Sequence, residues 1–261
     1  MPGHYGGAPL LRVIEGGKSE RQAERSARAA PGKFPEEEVR LIKERYGHYS
    51  GYRPRDVSGQ TERLRKIFPG VGYADISIAS QPLPKGAEGW FAIPRWSALA
   101  PSYIEAVERV LGCLKELRRG RTWNEREDEL YLMRLRESER ARNAFEVLGE
   151  RQKGRNILVL PAQLGVFHGG RSVRRAREVM RRSEFGLGAY AVGIALLTHP
   201  ERLRHYLDLW IDCAGDEYGL EEDDTRSRAP NFRFGDGLLT FDVGRVDFIG
   251  AHYGSATGFV V

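Results

Sequence analysis

The chain is poor in cysteine, in lysine and in long apolar runs. Its 261 residues include two cysteines, Cys113 and Cys213, a hundred positions apart, and this separation matches no metal-binding or redox spacing. A disulfide scaffold is therefore excluded. A chain of this length folds without one, because it buries roughly 70% of its unfolded surface. The cysteine usage favours a reducing, cytoplasmic compartment.

No stretch reaches the ~18–20 apolar residues that cross a bilayer. Early charges at Arg12, Glu15 and Lys18 also interrupt any apolar region of the kind that signal peptides need. Lysine is scarce, with seven against 34 arginines, and the net charge is +5. Guanidinium groups bind phosphate and carboxylate bidentately, so the arginine bias suits a polyanion ligand. A GC-rich coding preference and ordinary ion pairs with the 36 acidic residues are the alternative explanation.

The composition changes once along the chain. Residues 1–35 mix glycine, proline and charges with few large apolar side chains, which predicts a flexible basic arm. Residues 36–261 predict a single domain, opened by a short helix from Pro35 to Arg45. Residues 46–69 are polar and aromatic, with Tyr46, His48, Tyr49 and Tyr52 followed by Arg53 and Arg55. They predict a surface loop packed on its own tyrosines; the alternative is a segment that grips single-stranded nucleic acid.

The periodicity of the apolar residues gives the remaining elements. Residues 90–93 predict a strand closed by Pro94. Ser102 caps an amphipathic helix, and a second helix covers residues 125–152. Residues 157–160 predict a strand ended by Pro161, and an arginine-rich helix covers residues 172–182. For the apolar run 187–197 a strand is favoured over a helix, because the run contains two glycines.

The last quarter of the chain predicts strands. A capping box from Thr198 to Glu201 predicts a short helix to residue 206, and residues 209–213 predict a strand. Residues 232–242 predict a hairpin around Asp236 and Gly237, and residues 258–261 predict the last strand. The order is βαβαβ followed by a β-meander. The sequence therefore predicts an α+β fold in which helices pack on a mixed sheet.

Opposite charges are sorted into two blocks. Residues 171–182 contain six arginines against one acid, whereas residues 208–224 contain eight carboxylates and no lysine or arginine. Two glycines precede the arginines, at a predicted strand-to-helix turn where free N–H groups would face an anion. This pattern predicts a phosphate site formed by Gly169, Gly170, Arg171, Ser172, Arg174, Arg175, Arg181 and Arg182. The spacing is that of neither a Walker loop nor a dinucleotide fingerprint, and a capped helix with a solvated arginine face is the alternative.

The acidic block suggests a metal. Asp212 lies near the end of the strand predicted at residues 209–213, Asp216 and Glu217 lie in the turn after it, and grouped carboxylates suit Mg²⁺. His168, in the predicted glycine turn, is the candidate general base. Together the four residues would serve a magnesium-dependent phosphoryl or nucleotidyl hydrolase. The alternative is that the acids, Asp208 among them, form salt bridges with the arginine helix.

Several runs resemble a family of uncharacterised conserved proteins from environmental bacterial genomes. They are LVLPAQ (158–163), GRSVRRARE (170–178), EFGLGA (184–189), DLWIDCAGDEY (208–218) and YGSATGF (253–259). The resemblance covers about residues 85–261 and implies a bacterial, intracellular protein. It brings no activity or fold with it.

The sequence thus predicts a nucleic-acid or phosphate-binding protein that uses its arginine-rich helix. Nucleic acid or a nucleotide phosphate is the predicted partner, with a protein partner as a further option and no membrane. Two alternatives stay open: the magnesium-dependent hydrolase, and a structural or assembly subunit of a larger bacterial or phage complex.

Overall fold

The computed structural model describes residues 32–39, 49–124, 134–220 and 223–261. Over these ranges five α-helices pack on a ten-stranded mixed sheet, which confirms the predicted α+β class. Most of the predicted arm lies outside the described residues. None of the described helices has the length and apolar character needed to cross a membrane.

The helices and strands are numbered in chain order. The helices are α1 (Val57–Ile67), α2 (Tyr103–Leu117), α3 (Glu139–Arg151), α4 (Val173–Val179) and α5 (Ala189–Thr198), with 3₁₀ turns at Ile76–Ser80 and Trp96–Ala98. The strands are β1 (Gly89–Pro94), β2 (Thr122–Asn124), β3 (Leu135–Glu137), β4 (Ile157–Gly169), β5 (Glu184–Gly186), β6 (Trp210–Asp212), β7 (Asp216–Leu220), β8 (Asp223–Gly235), β9 (Leu238–Arg245) and β10 (Tyr253–Phe259). The sheet runs β1-β4-β10-β6-β8-β7-β3; β5 pairs with β10, and β9 joins β8 to β2.

The long strand β4 lies between β1 and β10 and is antiparallel to both. The prediction that it ends at Pro161 is wrong, because Pro161 pairs with Trp90 and the strand continues to Gly169. A proline removes one ladder donor, and here that loss does not end the strand. The chain then bulges at Gly165, whose φ of +111° is in the left-handed region. The side-chain oxygen of Gln163 accepts from the N–H of Gly165 at 2.7 Å, so the main-chain N–H at the bulge has a hydrogen-bond partner.

Helix α5 corrects the prediction of a strand at residues 187–197. All its residues are buried, and it packs against α2. Gly193 does not break the helix; it permits this approach, since a Cβ there would lie 2.5 Å from Cγ1 of Val110. The carboxylate of Asp216 accepts from the first helical N–H, that of Ala189, at 2.7 Å. Tertiary packing and a distant cap therefore decide the conformation of a run whose periodicity is uninformative.

Three further helix assignments change. Residues 57–67, predicted as loop, form α1, because the Asp56 carboxylate caps the N–H of Gly59 at 2.7 Å. Of the helix predicted over residues 125–152, the described residues contain α3 alone. Ser138 caps α3, and strand β3 precedes it. The predicted capping box at Thr198 is not a helix start. Thr198 is the last residue of α5, and its hydroxyl donates to carbonyls of the same helix, among them the carbonyl of Ala195.

The helix predicted from Pro35 does not begin there. Residues 35–37 form a turn, and Glu38 forms a β-bridge with Arg171; the rest of that prediction lies outside the described residues. By contrast, the hairpin prediction is confirmed. β8 and β9 are joined at Asp236 and Gly237, both with positive φ (50° and 77°), as two-residue hairpin loops require. The final strand begins earlier than predicted, at Tyr253.

The contact between α5 and α2 gives a paired test. We expect Gly193→Ala to lower the free energy of unfolding by about 1–3 kcal/mol, because the added methyl overpacks Val110. We expect Gly112→Ala, on α2 with open space around its Cα, to raise it by about 0.5–1 kcal/mol through helix propensity. Urea denaturation of both variants measures the difference. Equal effects would contradict the role given to Gly193.

Candidate functional site

The predicted glycine turn is largely strand. β4 runs to Gly169, and only Gly170, with φ +83°, makes the turn into α4. The N–H of Gly170 donates to the carbonyl of Tyr253 at 2.9 Å, and its carbonyl accepts from the N–H of Val39. Ser172 caps α4 as predicted, accepting from the N–H of Arg175 at 3.0 Å. The polar main-chain groups of Gly170 are therefore used within the fold.

The arginines at the start of α4 point into the protein. The side chains of Arg171 and Arg175 are 5% and 2% exposed. Both bind the carboxylate of Glu38, at 3.1 and 2.6 Å, and Arg175 also binds Glu178 at 2.8 Å. A segment more than a hundred positions earlier thus supplies the anion at this position.

Glu37 completes this arrangement. Its carboxylate accepts from the hydroxyl of Ser172 at 2.6 Å and pairs with Arg174. The hydrogen bond from Arg174 is the largest of the causes that lower the pKa of Glu37. Arg174 also lies over the ring of Phe34, 3.9 Å from its centroid. Acids of residues 37–38 therefore occupy the positions at which the sequence predicts a phosphate.

The carboxylates that bind Arg171, Arg174 and Arg175 in the described residues come from Glu37, Glu38 and Glu178. Arg177 reaches toward the acidic block, donating to the main-chain oxygens of Ala214 and Asp216. Of the predicted phosphate-binding arginines, Arg181 and Arg182 have exposed side chains.

His168 is buried in a polar network. Its Nε2 lies 2.7 Å from the carboxylate of Glu184, which also accepts from the Thr257 hydroxyl at 2.7 Å. Because Arg171 donates to Nδ1 at 3.1 Å, Nε2 carries the proton and donates to Glu184. Burial lowers the pKa of His168, which favours the neutral ring. Both ring nitrogens are thus occupied, and the predicted general base has no exposed face.

The three predicted metal ligands lie in different surroundings. Asp216 accepts from the Tyr103 hydroxyl at 2.7 Å and caps α5. Glu217 pairs with Arg136 at 3.1 Å on the outer part of the sheet. Asp212 is buried on β6. Among the residues that the structure describes, no three acid, histidine or cysteine side chains are grouped so as to hold a metal ion.

The buried acids give a pH dependence with a defined sign. Burial raises the pKa of both Asp212 and Asp216 from 3.8 to about 7. Between about pH 4 and about pH 7, Asp212 and Asp216 are therefore mostly protonated in the folded protein and mostly ionised in the unfolded chain. The contribution of each of these two groups to stability therefore falls as pH rises from about 4 to about 7, by up to about 1.4 kcal/mol per pH unit, and levels off above.

We expect Asp212→Asn to remove the part of the slope that Asp212 contributes, up to about 1.4 kcal/mol per pH unit. Asp236→Asn, at the exposed hairpin turn, is the control and leaves it unchanged. Urea denaturation across the pH range measures both. A slope that Asp212→Asn does not alter would contradict the assignment.

A surface that the sequence did not predict lies beside Asp208. Tyr49 and His205 stack with ring centroids 4.3 Å apart and planes at 24°, and His205 and Tyr206 follow at 4.4 Å and 33°. Tyr49 and Tyr206 are 61% and 64% exposed. We call these three side chains the ring stack, in which His205 contacts Tyr49 and Tyr206. The ring stack therefore offers aromatic surface to solvent at both ends.

Asp208 holds the ring stack in place. This fully buried carboxylate accepts from the N–H of Ser50 at 2.8 Å and from its hydroxyl. It also accepts from the N–H groups of Arg204 and His205 at 2.8 and 2.9 Å. One carboxylate thus joins the two chain segments that carry the rings, and the stack is preorganised.

Positive charge lies next to the ring stack. Arg204 is exposed and precedes His205 in the chain. Arg118 donates to the carbonyl of Pro200 at 2.6 Å. Burial, together with the positive charges of Arg204 and Arg121, lowers the pKa of Arg118 to about 10. Arg118 therefore lies close enough to Arg204 and to Arg121 for their charges to act on it.

The tyrosine–arginine segment divides between core and surface. Tyr52 is buried, with its ring edge-on to His199 at 5.5 Å, and Arg55 pairs with Glu201 at 2.9 Å. Tyr46 and His48 lie outside the described residues. His205 and Tyr206 were missed because residues 200–206 were predicted as helix. The available signal was a cation followed directly by two rings, Arg204-His205-Tyr206.

No protein-family model matches the chain, and no curated protein or solved structure matches it. The functional argument therefore depends on the geometry above. The resemblance to bacterial proteins stays a prediction.

Proposed function

We propose that the protein binds single-stranded nucleic acid through the ring stack and the arginines beside it. The observation that carries this proposal is the exposure of Tyr49 and Tyr206 at the two ends of a stack that Asp208 fixes. Unpaired bases stack on such rings with about 1–3 kcal/mol per base. Nearby arginines neutralise the phosphates that follow.

The ring stack favours a single strand over a duplex. In a duplex the base faces are stacked on one another, so a protruding ring reaches them only by unstacking a step. A single strand offers its base faces without that cost. Arg204, which is exposed and directly precedes His205, would meet the backbone beside a stacked base.

This proposal keeps the ligand class that the sequence predicts and moves the contacts. Arg171, Arg174 and Arg175 bind Glu37, Glu38 and Glu178, as described above. A polyanion would have to displace those carboxylates and expose deeply buried guanidinium groups. The described carboxylates likewise give no support to the hydrolase alternative, since Asp216 and Glu217 bind groups of the chain itself.

The exposed tyrosines allow a matched test. Binding of a fluorescein-labelled oligothymidylate is measured by fluorescence anisotropy. We expect Tyr206→Ala and Tyr49→Ala each to weaken binding about tenfold, which corresponds to one lost stacking contact. Tyr73→Ala is the control, because Tyr73 is 58% exposed but stacks with Arg65 elsewhere on the surface. No binding by the unaltered protein, or equal losses in all three variants, would refute the proposal.

The salt dependence tests the arginines separately. Affinity for the same oligonucleotide is expected to fall between about 50 and 200 mM salt, as phosphate neutralisation releases counterions. Arg204→Ala should reduce the slope of log K against log salt by about 0.7, the value for one contact to a single strand. Arg182→Ala removes an equally exposed arginine away from the rings and should leave the slope unchanged. A slope near zero in the unaltered protein would show that phosphates are not bound.

A further inference from the structure

We infer that a second surface, the groove between α3 and residues 181–185, binds an acidic segment of a partner protein that also carries aliphatic side chains. The groove has a volume of about 1000 Å³ and is open to solvent. Its rim carries four arginines: Arg140, Arg151, Arg181 and Arg182. This inference does not depend on nucleic-acid binding at the ring stack.

The rim is positive, with four arginines against two acids, Glu139 and Glu184, among the lining residues. Arg140 is oriented by main-chain carbonyls, among them that of Glu184 at 2.9 Å, and Arg151 donates to a main-chain oxygen of Val261. One carboxylate oxygen of Glu184 binds His168 and Thr257, and the other accepts from the N–H of Arg181 at 3.4 Å. Burial lowers the pKa of Arg140, and the charge of Glu184 opposes this shift. The accessible charge of the rim is therefore that of its exposed arginines.

Arg181 and Arg182 supply the accessible charge. Arg181 donates to the carbonyl of Lys85 at 3.2 Å and lies over the Phe167 ring, 5.5 Å from its centroid. Arg182 is exposed and makes no hydrogen bond or ion pair within the described ranges. An anionic guest can bind both without displacing an internal carboxylate, unlike at the start of α4.

The floor of the groove is aliphatic. Val147, on the outer side of α3, is 42% exposed, and Val260 lines the same space. Phe185 reaches the groove but is 1% exposed, so its ring face is not available for stacking. A nucleobase finds no aromatic platform here, whereas a leucine or valine side chain finds apolar contact. A ligand whose carboxylates bind the rim and whose aliphatic side chains pack on the floor is an acidic peptide with aliphatic residues.

The open shape favours an extended chain over a small molecule. Pockets for small ligands bury about 70–90% of the guest surface, and this groove leaves one side to solvent. An extended peptide places alternate side chains toward the floor and the rim. Charge complementarity of this kind sets the specificity and the association rate of an interface.

The test uses an array of short peptides in which glutamate alternates with leucine or valine. Matched sets replace every glutamate with lysine, or every aliphatic residue with serine. The full chain is expected to bind the acidic–aliphatic set in preference to both others. By fluorescence anisotropy with the best peptide, Arg182→Glu and Val147→Asp should each weaken binding at least about tenfold. Arg204→Glu, the same charge change at the ring stack, should leave peptide binding unchanged while weakening oligothymidylate binding.

Three results would overturn the inference. The first is an acidic–aliphatic set that binds no better than its lysine or serine counterpart. The second is an equal loss of peptide binding in Arg182→Glu and Arg204→Glu, or a loss of oligothymidylate binding in Arg182→Glu, which would assign the groove to nucleic acid. The third is a dimer, seen by light scattering, that Val147→Asp dissociates, which would assign the groove to a second copy of the chain.

Discussion

The carboxylate of Glu38 lies between two guanidinium groups that are almost fully buried, those of Arg171 and Arg175. Leaving such charges buried without a partner costs about 3–5 kcal/mol, which is a large share of the stability of a typical domain. The segment at residues 33–38 must therefore stay docked for the end of β4 and the start of α4 to hold their positions. This one constraint decides which arginines are used inside the fold and which are left for a ligand.

The same rule of internal compensation explains the other buried polar groups. Asp216 accepts from a helix N–H and a tyrosine hydroxyl, and Asp208 accepts from three main-chain N–H groups and a serine. Each carboxylate joins segments far apart in the chain, so Asp208 and Asp216 act as structural anchors. The exposed ring stack is a product of this rule, because the anchor at Asp208 places Tyr49 against His205.

Local chemistry made some elements predictable and left others open. The hairpin at Asp236 and Gly237 was predicted, because it needs two positive φ angles that those residue types favour. Helix α5 was not, because an all-apolar run has no informative period and its glycine serves a contact with Val110. The pairing of Glu37 with Arg174 joins residues 137 positions apart, which no local pattern reveals. The predicted phosphate site therefore coincides with arginines that bind acids of the chain itself.

The arginine bias has a different meaning once these pairs are known. Arginine forms bidentate contacts in partly buried positions better than lysine does, so much of the bias serves internal ion pairs and carbonyl contacts. Some of the exposed arginines lie at two surfaces of different chemistry. At the ring stack the arginines flank aromatic faces, which suits unpaired bases. At the groove they flank aliphatic side chains, which do not stack with bases. Because the two surfaces present the same charge on different apolar surroundings, the apolar part and not the charge distinguishes their ligands.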